Sequence, residues 1–454
     1  MKAENKVFYG KLFSLVLPIA FQNFMTAAVS ASDAVMLGVL NQESLSAVSL
    51  AGQIQFVLSL FLAALTIGTT ILAAQYWGKR DIRAVEKILA IAIRFSFIIS
   101  LVFFLCASFI PASLMRIFTP DADLIKKGVE YLRVAGLSYL LNGISQIYLC
   151  IMKNSGYTMK STVIGSSAMI LNIVLNALLI YGVGWFPAMG IAGAALATVL
   201  ARTVELVWVV AESMRKGRIR LRGEYLVHGD RELQKDFFRY TLPVLGNELV
   251  WGCGFTMYSV IMGHLGSDAV AANSIANIVK NLIACLCLGI GSGGGIIVGN
   301  ELGSRNLKQA RAYGNKLCRL SVLSGAVSGL ILVALSPLIL HFANLSDVSQ
   351  GYLKGMLFMC SYYMIGKSVN STVIAGIFCA GGDSRFGLIC DTITLWAVTV
   401  PLGLLAAFVF RLPVLAVYFI VNLDEVIKLP AVYRHYKKYN WVKDLTRESG
   451  ENSV

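Results

Sequence analysis

Residues 12–40 read LFSLVLPIAFQNFMTAAVSASDAVMLGVL, and residues 237–265 read FFRYTLPVLGNELVWGCGFTMYSVIMGHL. Each is longer than the roughly 20 apolar residues that cross a bilayer. At an offset of 225 they superpose Leu17-Pro18 on Leu242-Pro243, Val35 on Val260, Gly38 on Gly263 and Leu40 on Leu265. The ungapped frame continues with Ala47 on Ala272, Ser49 on Ser274, Ala51 on Ala276, Gly68 on Gly293, Gly78 on Gly303 and Arg80 on Arg305. Further on, Gly156-Tyr157-Thr158 leading to Lys160 matches Gly382-Asp383-Ser384-Arg385 at nearly that offset. The chain therefore holds two copies of one membrane-spanning unit in the same orientation. Parallel repeats of this kind are characteristic of secondary transporters, with the site between or within the halves.

Outward from these stretches, apolar runs predict twelve spans, six per half, in an all-α polytopic membrane protein. The last two are expected at 387–411 and 412–433. The halves are expected at 1–214 and 237–454, joined by a linker at 215–236, with a short basic tail closing the second half. Composition agrees: 57% of the 454 residues are hydrophobic and 14% charged, against about 45–50% and about 25% in soluble domains. The first run is far longer than the apolar segment of a cleavable signal, so it is read as a retained span. The formal charge of +14 would suggest nucleic acid in a soluble protein. Here 28 of the 39 Lys and Arg fall in the even-numbered connections, the linker and the two ends. By the positive-inside rule both termini are expected in the cytoplasm. The charge is then a topology signal, and no nucleic-acid partner is expected.

Enzyme chemistry finds little to stand on. The nine cysteines are odd in number, lack any C-x-x-C, and lie in or at the edges of spans, where thiols behave as small apolar groups. Gly289-Ile-Gly291-Ser-Gly293-Gly294 satisfies G-x-G-x-x-G, but it sits inside a span with no preceding strand, so a dinucleotide is not expected. Gly291, Gly295, Gly299 and Gly303 recur every four residues, a spacing suited to close helix packing.

A charge within the bilayer costs at least about 2.5–3.5 kcal/mol at a helix centre and needs a reason. On span 1, Asn23, Thr26, Ser30 and Asp33 share one helical face. The same positions of span 7 are Glu248, Trp251, Phe255 and Tyr258, an acid followed by an aromatic stripe. An acid beside aromatic rings suits an amphipathic organic cation. Asn172 and Asn176 are spaced i, i+4 on span 5, either pointing at Asp33 or joining helices. On span 10, Lys367 is expected to neutralise Glu248. Glu205, Asp424, Glu425 and Lys428 are read as structural pairs, and Lys280 and Asp391 as solvated or ion-paired.

The pattern resembles the MATE (multidrug and toxic compound extrusion) family. The carrying segments in the first half are Leu17-Pro18 through Asp33-Ala-Val-Met-Leu-Gly38, Asn172-x-x-x-Asn176-Ala-Leu-Leu-Ile-Tyr-Gly182 and Gly193-Ala-Ala-Leu-Ala-Thr198. In the second half they are Leu242-Pro243, His264-Leu-Gly266 into Ala271-Ala272, Gly299-Asn-Glu-Leu-Gly303 and Gly381-Gly-Asp383. The resemblance implies a V-shaped, two-lobed antiporter of the plasma (inner) membrane that exports organic cations in exchange for H⁺ or Na⁺. It implies a monomer in membrane lipid, with no cofactor beyond the coupling ion. By that resemblance Asp33 is the coupling acid, Asn172 its neighbour and Thr198 part of the same cation site. Asn176 completes this set, with Na⁺ at Asp33 and Asn172 as the alternative to a proton. Substrate contacts are expected from Glu248, Trp251, Phe255, Tyr258, Lys367 and Asn23. Two departures from the family stand out: Asn176 replaces an aspartate of many members, which weakens a Na⁺ site and favours the proton, and Trp251 stands where many keep the span-7 acid, with Glu248 expected to serve instead. The alternative within the superfamily is a flippase for a lipid-linked saccharide.

Overall fold

The computed structural model describes residues 2–182, 184, 187–227, 229–343 and 345–447. The far end of the expected tail lies outside them. In the first half the helices are α1 (Lys2–Leu40), α2 (Gln42–Gly78), α3 (Ile82–Phe109), the short α4 (Pro111–Phe118), α5 (Ala122–Asn154), α6 (Thr158–Tyr181) and α7 (Gly190–Ser213). A short α8 (Gly223–Val227) lies in the linker. The second half has α9 (Arg231–Gly263), α10 (Ser267–Gly303), α11 (Leu307–Phe342), α12 (Asp347–Asn370), α13 (Ser384–Asp391), α14 (Val400–Leu404), α15 (Val414–Val421), α16 (Asp424–Ile427) and α17 (Leu429–Lys437). Wider π turns continue α12 through Ser371–Phe378 and join α13 to α14 through Thr392–Thr399.

Among the described residues, nine helices are long and apolar enough to cross a membrane by themselves. The remaining three spans of the twelve are α9, α12 with its π extension, and the segment α15–α17. That last segment departs from the single helix expected at 412–433. It breaks after Val421 and again before Pro430, which sits in the first turn of α17. Proline is tolerated there and not in a helix interior.

The repeat is legible in the backbone. At the end of α2, Arg80 N–H donates to Trp77 O and Asp81 N–H to Tyr76 O; at the end of α10, Arg305 N–H donates to Leu302 O and Asn306 N–H to Glu301 O. These are the paired bonds of one helix-ending motif, which places the residue after the helix in the left-handed region. Arg80 and Arg305 both occupy it, at φ 64° and 58°. Gly156 and Gly382 end α5 and the π-extended α12 with the same bond pattern, at φ 81° and 75°. Two of the four positions use glycine, which adopts that region at no steric cost.

By their internal packing the residues fall into two compact units. One contains Gln22–Thr69 and Arg83–Asp236; the other contains Met1–Phe21, Thr70–Ile82 and Phe237–Val454. In the first, α7 packs against both α5 and α6, and α4 lies on α5. The linker is not a free connection. Its Arg222 Nε pairs with buried Glu86 at 2.7 Å, and Asp230 pairs with Lys87 at 3.0 Å. Arg218 and Arg215 close on buried Glu212. Burial raises the Asp230 carboxyl, but the Leu233 N–H and the Lys87 ammonium outweigh it and hold it below the usual range.

In the second unit the glycine stripe of α10 is closely packed against backbone or small side chains of its neighbours. A methyl group on Gly291 would press on Ser371, one on Gly295 on Gly376, one on Gly299 on Ala74 and one on Gly303 on Gln75. Gly78 of α2 in turn backs onto Asn300. Around this crossing, Phe8, Leu12 and Val16 of α1 share a core with Ile290, Val298, Leu302, Leu317 and Trp441.

The basic tail after α17 is a folded strap. Trp441, fully buried, covers Gly314. Gln75, also fully buried, donates from Nε2 to Ala380 O (2.7 Å) and Lys443 O (3.2 Å), and its Oε1 accepts from Leu445 N–H (2.7 Å). Asp444 pairs with Arg305 at 3.0 Å and accepts from Thr446. Burial raises its carboxyl, but the Thr446 donors and Arg305 outweigh that and hold it below the ordinary range. A depressed carboxylate stabilises the fold above its unfolded value, and that contribution is lost as pH falls through the folded value. Amide-exchange protection at Leu445, corrected for the intrinsic rate, should therefore hold from pH 8 to about 5 and decline only below about 4.

Candidate functional site

Polar side chains inside a span survive where they satisfy one another or meet water. In the first unit, four of them form a chain across three helices. Asn176 of α6 donates from Nδ2 to Asp33 Oδ1 of α1 at 2.6 Å and to Asn172 Oδ1 at 3.3 Å. Asn172 Nδ2 donates to Thr198 Oγ1 of α7 at 3.2 Å, and the Thr198 hydroxyl donates to Ala194 O at 3.1 Å. The i, i+4 spacing on α6 puts both amides on one face, as expected. Asn176 is 1% exposed, and its Oδ1 has no hydrogen-bond partner. The chain thus links one carboxylate to three neutral groups, with an orphan carbonyl oxygen beside it. Tyr131, buried on α5, lies close enough to feel the charge of Asp33. It is the member that sequence reasoning missed, because it stands in a charged stretch of α5 with no polar face to mark it.

Asn23 does not join this chain. It lies ten residues before Asp33 on α1, about 15 Å of helix. It belongs to the first unit, whereas the other expected substrate residues belong to the second.

In the second unit, Glu248, Trp251, Phe255 and Tyr258 follow one another along α9. Trp251 and Phe255 are stacked, with centroids 5.7 Å apart and 16° between planes. The Lys367 ammonium lies 5.5 Å from the Trp251 ring centre. Tyr258 Oη and Thr399 Oγ1 are 2.6 Å apart. The expected neutralisation of Glu248 by Lys367 is corrected: the ion pair of Lys367 goes to Glu425, at 3.4 Å. The same carboxylate takes Lys428 at 3.3 Å and the Asn370 amide at 2.6 Å, and Lys428 reaches Asp391 at 2.8 Å. A carboxylate held by three donors is a better counter-ion than one held by none, because a buried pair repays its desolvation only when its other lone pairs are satisfied. Among the described residues no ion pair holds Glu248; Lys367 and Asp391 are the charges that act on it. The expected pairing inside the last span holds for Glu425 and Lys428, while Asp424 has no ion pair among the described residues. Glu205, also expected to be paired, accepts from Ser145 and from Arg202.

Residues 18–178 and 243–405 match the MatE family model. The two matches begin at Pro18 and Pro243, the offset read from the sequence. The chain belongs to the MATE family of transporters. This MATE transporter is 24% identical over 456 residues to the probable multidrug resistance protein NorM of Thermotoga maritima, across 98% of this chain and 96% of that one. It is 22% identical to the uncharacterized transporter YisQ of Bacillus subtilis, across 97% and 96% of the two chains. Among solved structures, a MOP superfamily transporter from Pyrococcus furiosus superposes with a TM-score of 0.86 at 18% identity, covering 95% of each chain. At that identity the likeness establishes the fold. The protein is accordingly a multi-pass, all-helical membrane transporter.

Proposed function

We propose that this MATE transporter is an antiporter of the plasma membrane that exports amphipathic organic cations in exchange for protons. Both termini face the cytoplasm, and the working unit is a monomer. The observation that carries the reading is the chain Asp33–Asn176–Asn172–Thr198. The group facing Asp33 is the amide donor of Asn176. A donor supports a carboxylate that gains and loses a proton, whereas a sodium site would ask several oxygens to converge on the acid. A carboxyl group with one neutral donor can exist in both protonation states without leaving a charge unpaired elsewhere.

The exchange follows from differential affinity. A ligand moves a conformational equilibrium only as far as it binds the two states differently. Protonation of Asp33 from outside favours the state that lets the cation go; deprotonation on the cytoplasmic side restores the state that binds it. Glu248, Trp251 and Phe255 supply the acid and ring faces that an organic cation recognises. The relatives named multidrug resistance proteins support export of such compounds.

Everted vesicles supplied with a fluorescent organic cation in the medium separate the ions. Uptake is expected under an imposed proton gradient and not under a sodium gradient of equal size. Uptake driven by sodium alone would overturn the choice of ion. No movement of any organic cation, with lipid-linked saccharide crossing instead, would favour the flippase reading.

A further inference from the structure

Three lysines within the spans of the second unit, Lys280, Lys367 and Lys428, are not equivalent. Lys428 is clamped between Asp391 and Glu425, and Lys367 reaches Glu425. Lys280, on α10, has no carboxylate partner among the described residues. Its ammonium instead lies over the ring of Tyr363, 4.7 Å from the centre. A cation kept in a span without a counter-ion is costly, and one ring face offsets only part of that cost.

Its surroundings on α10 are also polar. Asn273, Asn277 and Lys280 are spaced i, i+4, i+7 and share one face, with Asn277 Nδ2 donating to Asn273 Oδ1 at 3.3 Å. The charges that act on Lys280 are those of Asp424 and Glu425, which attract it, and Lys367, which repels it. Lys367 acts on Glu248 as well, and it stands one turn after Tyr363 on α12, so Lys280 and Trp251 approach neighbouring positions of one helix. Glu425 is fully engaged by other donors. Asp424 is 4% exposed and forms no ion pair with Lys280. The unit therefore carries a lysine and a glutamate outside any ion pair among the described residues, with the Tyr363 ring against Lys280 and the stacked rings of Trp251 and Phe255 following Glu248 along α9.

Resting on the export reading above, we propose that Lys280 determines specificity by accepting the carboxylate of zwitterionic aromatic substrates. The substrate's ammonium or iminium end is taken by Glu248, its aromatic body by the ring faces, and its carboxylate replaces the missing counter-ion of Lys280. Compounds that are cations only leave Lys280 on Tyr363 and do not depend on it.

The test is proton-driven uptake into everted vesicles of two dyes that differ in one group: a rhodamine with a free benzoate, and its methyl ester. The wild-type transporter is expected to move both. Lys280→Gln should lower uptake of the free acid by about tenfold or more, the scale of a lost charge-assisted hydrogen bond, and leave the ester within about twofold. Lys280→Arg should restore the acid. The ester is the control for folding, since a misfolded variant loses both dyes. Equal loss of both dyes in Lys280→Gln and in Lys280→Met, with each variant monodisperse in detergent, would overturn the inference, as would no loss of either. Wild-type transport of the ester but not the acid would also overturn it while sparing the export reading. Wild-type transport of neither dye would bring down the export reading and this inference together.

Discussion

Asp33→Asn should reduce proton-driven accumulation to the level of empty vesicles. A pH difference of one unit is worth about 1.4 kcal/mol per proton, an accumulation ratio of about ten for one proton exchanged. Asparagine fills the same space and keeps a carbonyl for the Asn176 amide, which now donates to Asp33 at 2.6 Å. Folding and dye binding are therefore expected to survive, and only the proton-carrying step is removed. In everted vesicles the accumulation ratio should fall from about ten to one, while the variant still lets dye equilibrate down its own gradient. Accumulation at the wild-type ratio would remove Asp33 from the coupling role. Such a result would direct attention to Glu248, a second intramembrane acid that no ion pair holds among the described residues.

The second large effect is expected at the crossing of α2 and α10. Gly303→Val places a branched side chain against the backbone of Gln75, which has no flexible end to move aside. Gly78 is in the same position against Asn300. Gln75 and Asn300 are themselves one repeat apart, so the contact is reciprocal, like the self-complementary interface of a two-fold dimer. Overpacking against side chains costs about 1–3 kcal/mol; against backbone the loss should be about 3 kcal/mol or more. The measurement is the thermal midpoint in detergent, with Gly263→Ala as control. Gly263 is helical and has open space around it, so alanine there should be neutral or stabilising by about 0.5–1 kcal/mol. Equal midpoints for Gly303→Val and wild type would mean that the crossing opens without cost.

Much of this was readable from the residues because it is local or repeated. The spacing of Asn172 and Asn176 fixes one helical face. The four-residue stripe from Gly291 to Gly303 announces a close approach, and the offset of 225 pairs the helix ends at Arg80 and Arg305. What was not readable depends on choices among distant partners. Periodicity puts Lys367 inside a span but cannot say whether Glu248 or Glu425 is nearer, since both are acids on other helices. Tyr131 joins the environment of Asp33 only because α5 packs on α7, and α7 on α6. In the sequence the tail is a short basic segment whose charge reads as a topology signal. Its role as a strap rests on Trp441 finding the space above Gly314, a fit with no sequence period. The last span is broken where Glu425 meets Lys367 and Asn370 of α12 and Lys428 meets Asp391 of α13, partners that an apolar period does not announce.

The division into compact units bears on how this polypeptide can be cut. The chain passes from one unit to the other near residues 21, 69, 82 and 236, and the first two crossings fall inside unbroken helices. A protease site in the 215–236 linker would therefore not yield two self-sufficient fragments. The C-terminal piece would lack Met1–Phe21 and Thr70–Ile82, which belong to its own core, and Gln75, to which its strap is fastened. The N-terminal piece would display those segments with nothing to cover Phe8, Leu12 and Val16. Co-expressed, the two fragments must fold by completing each other, and neither should accumulate when its partner is withheld.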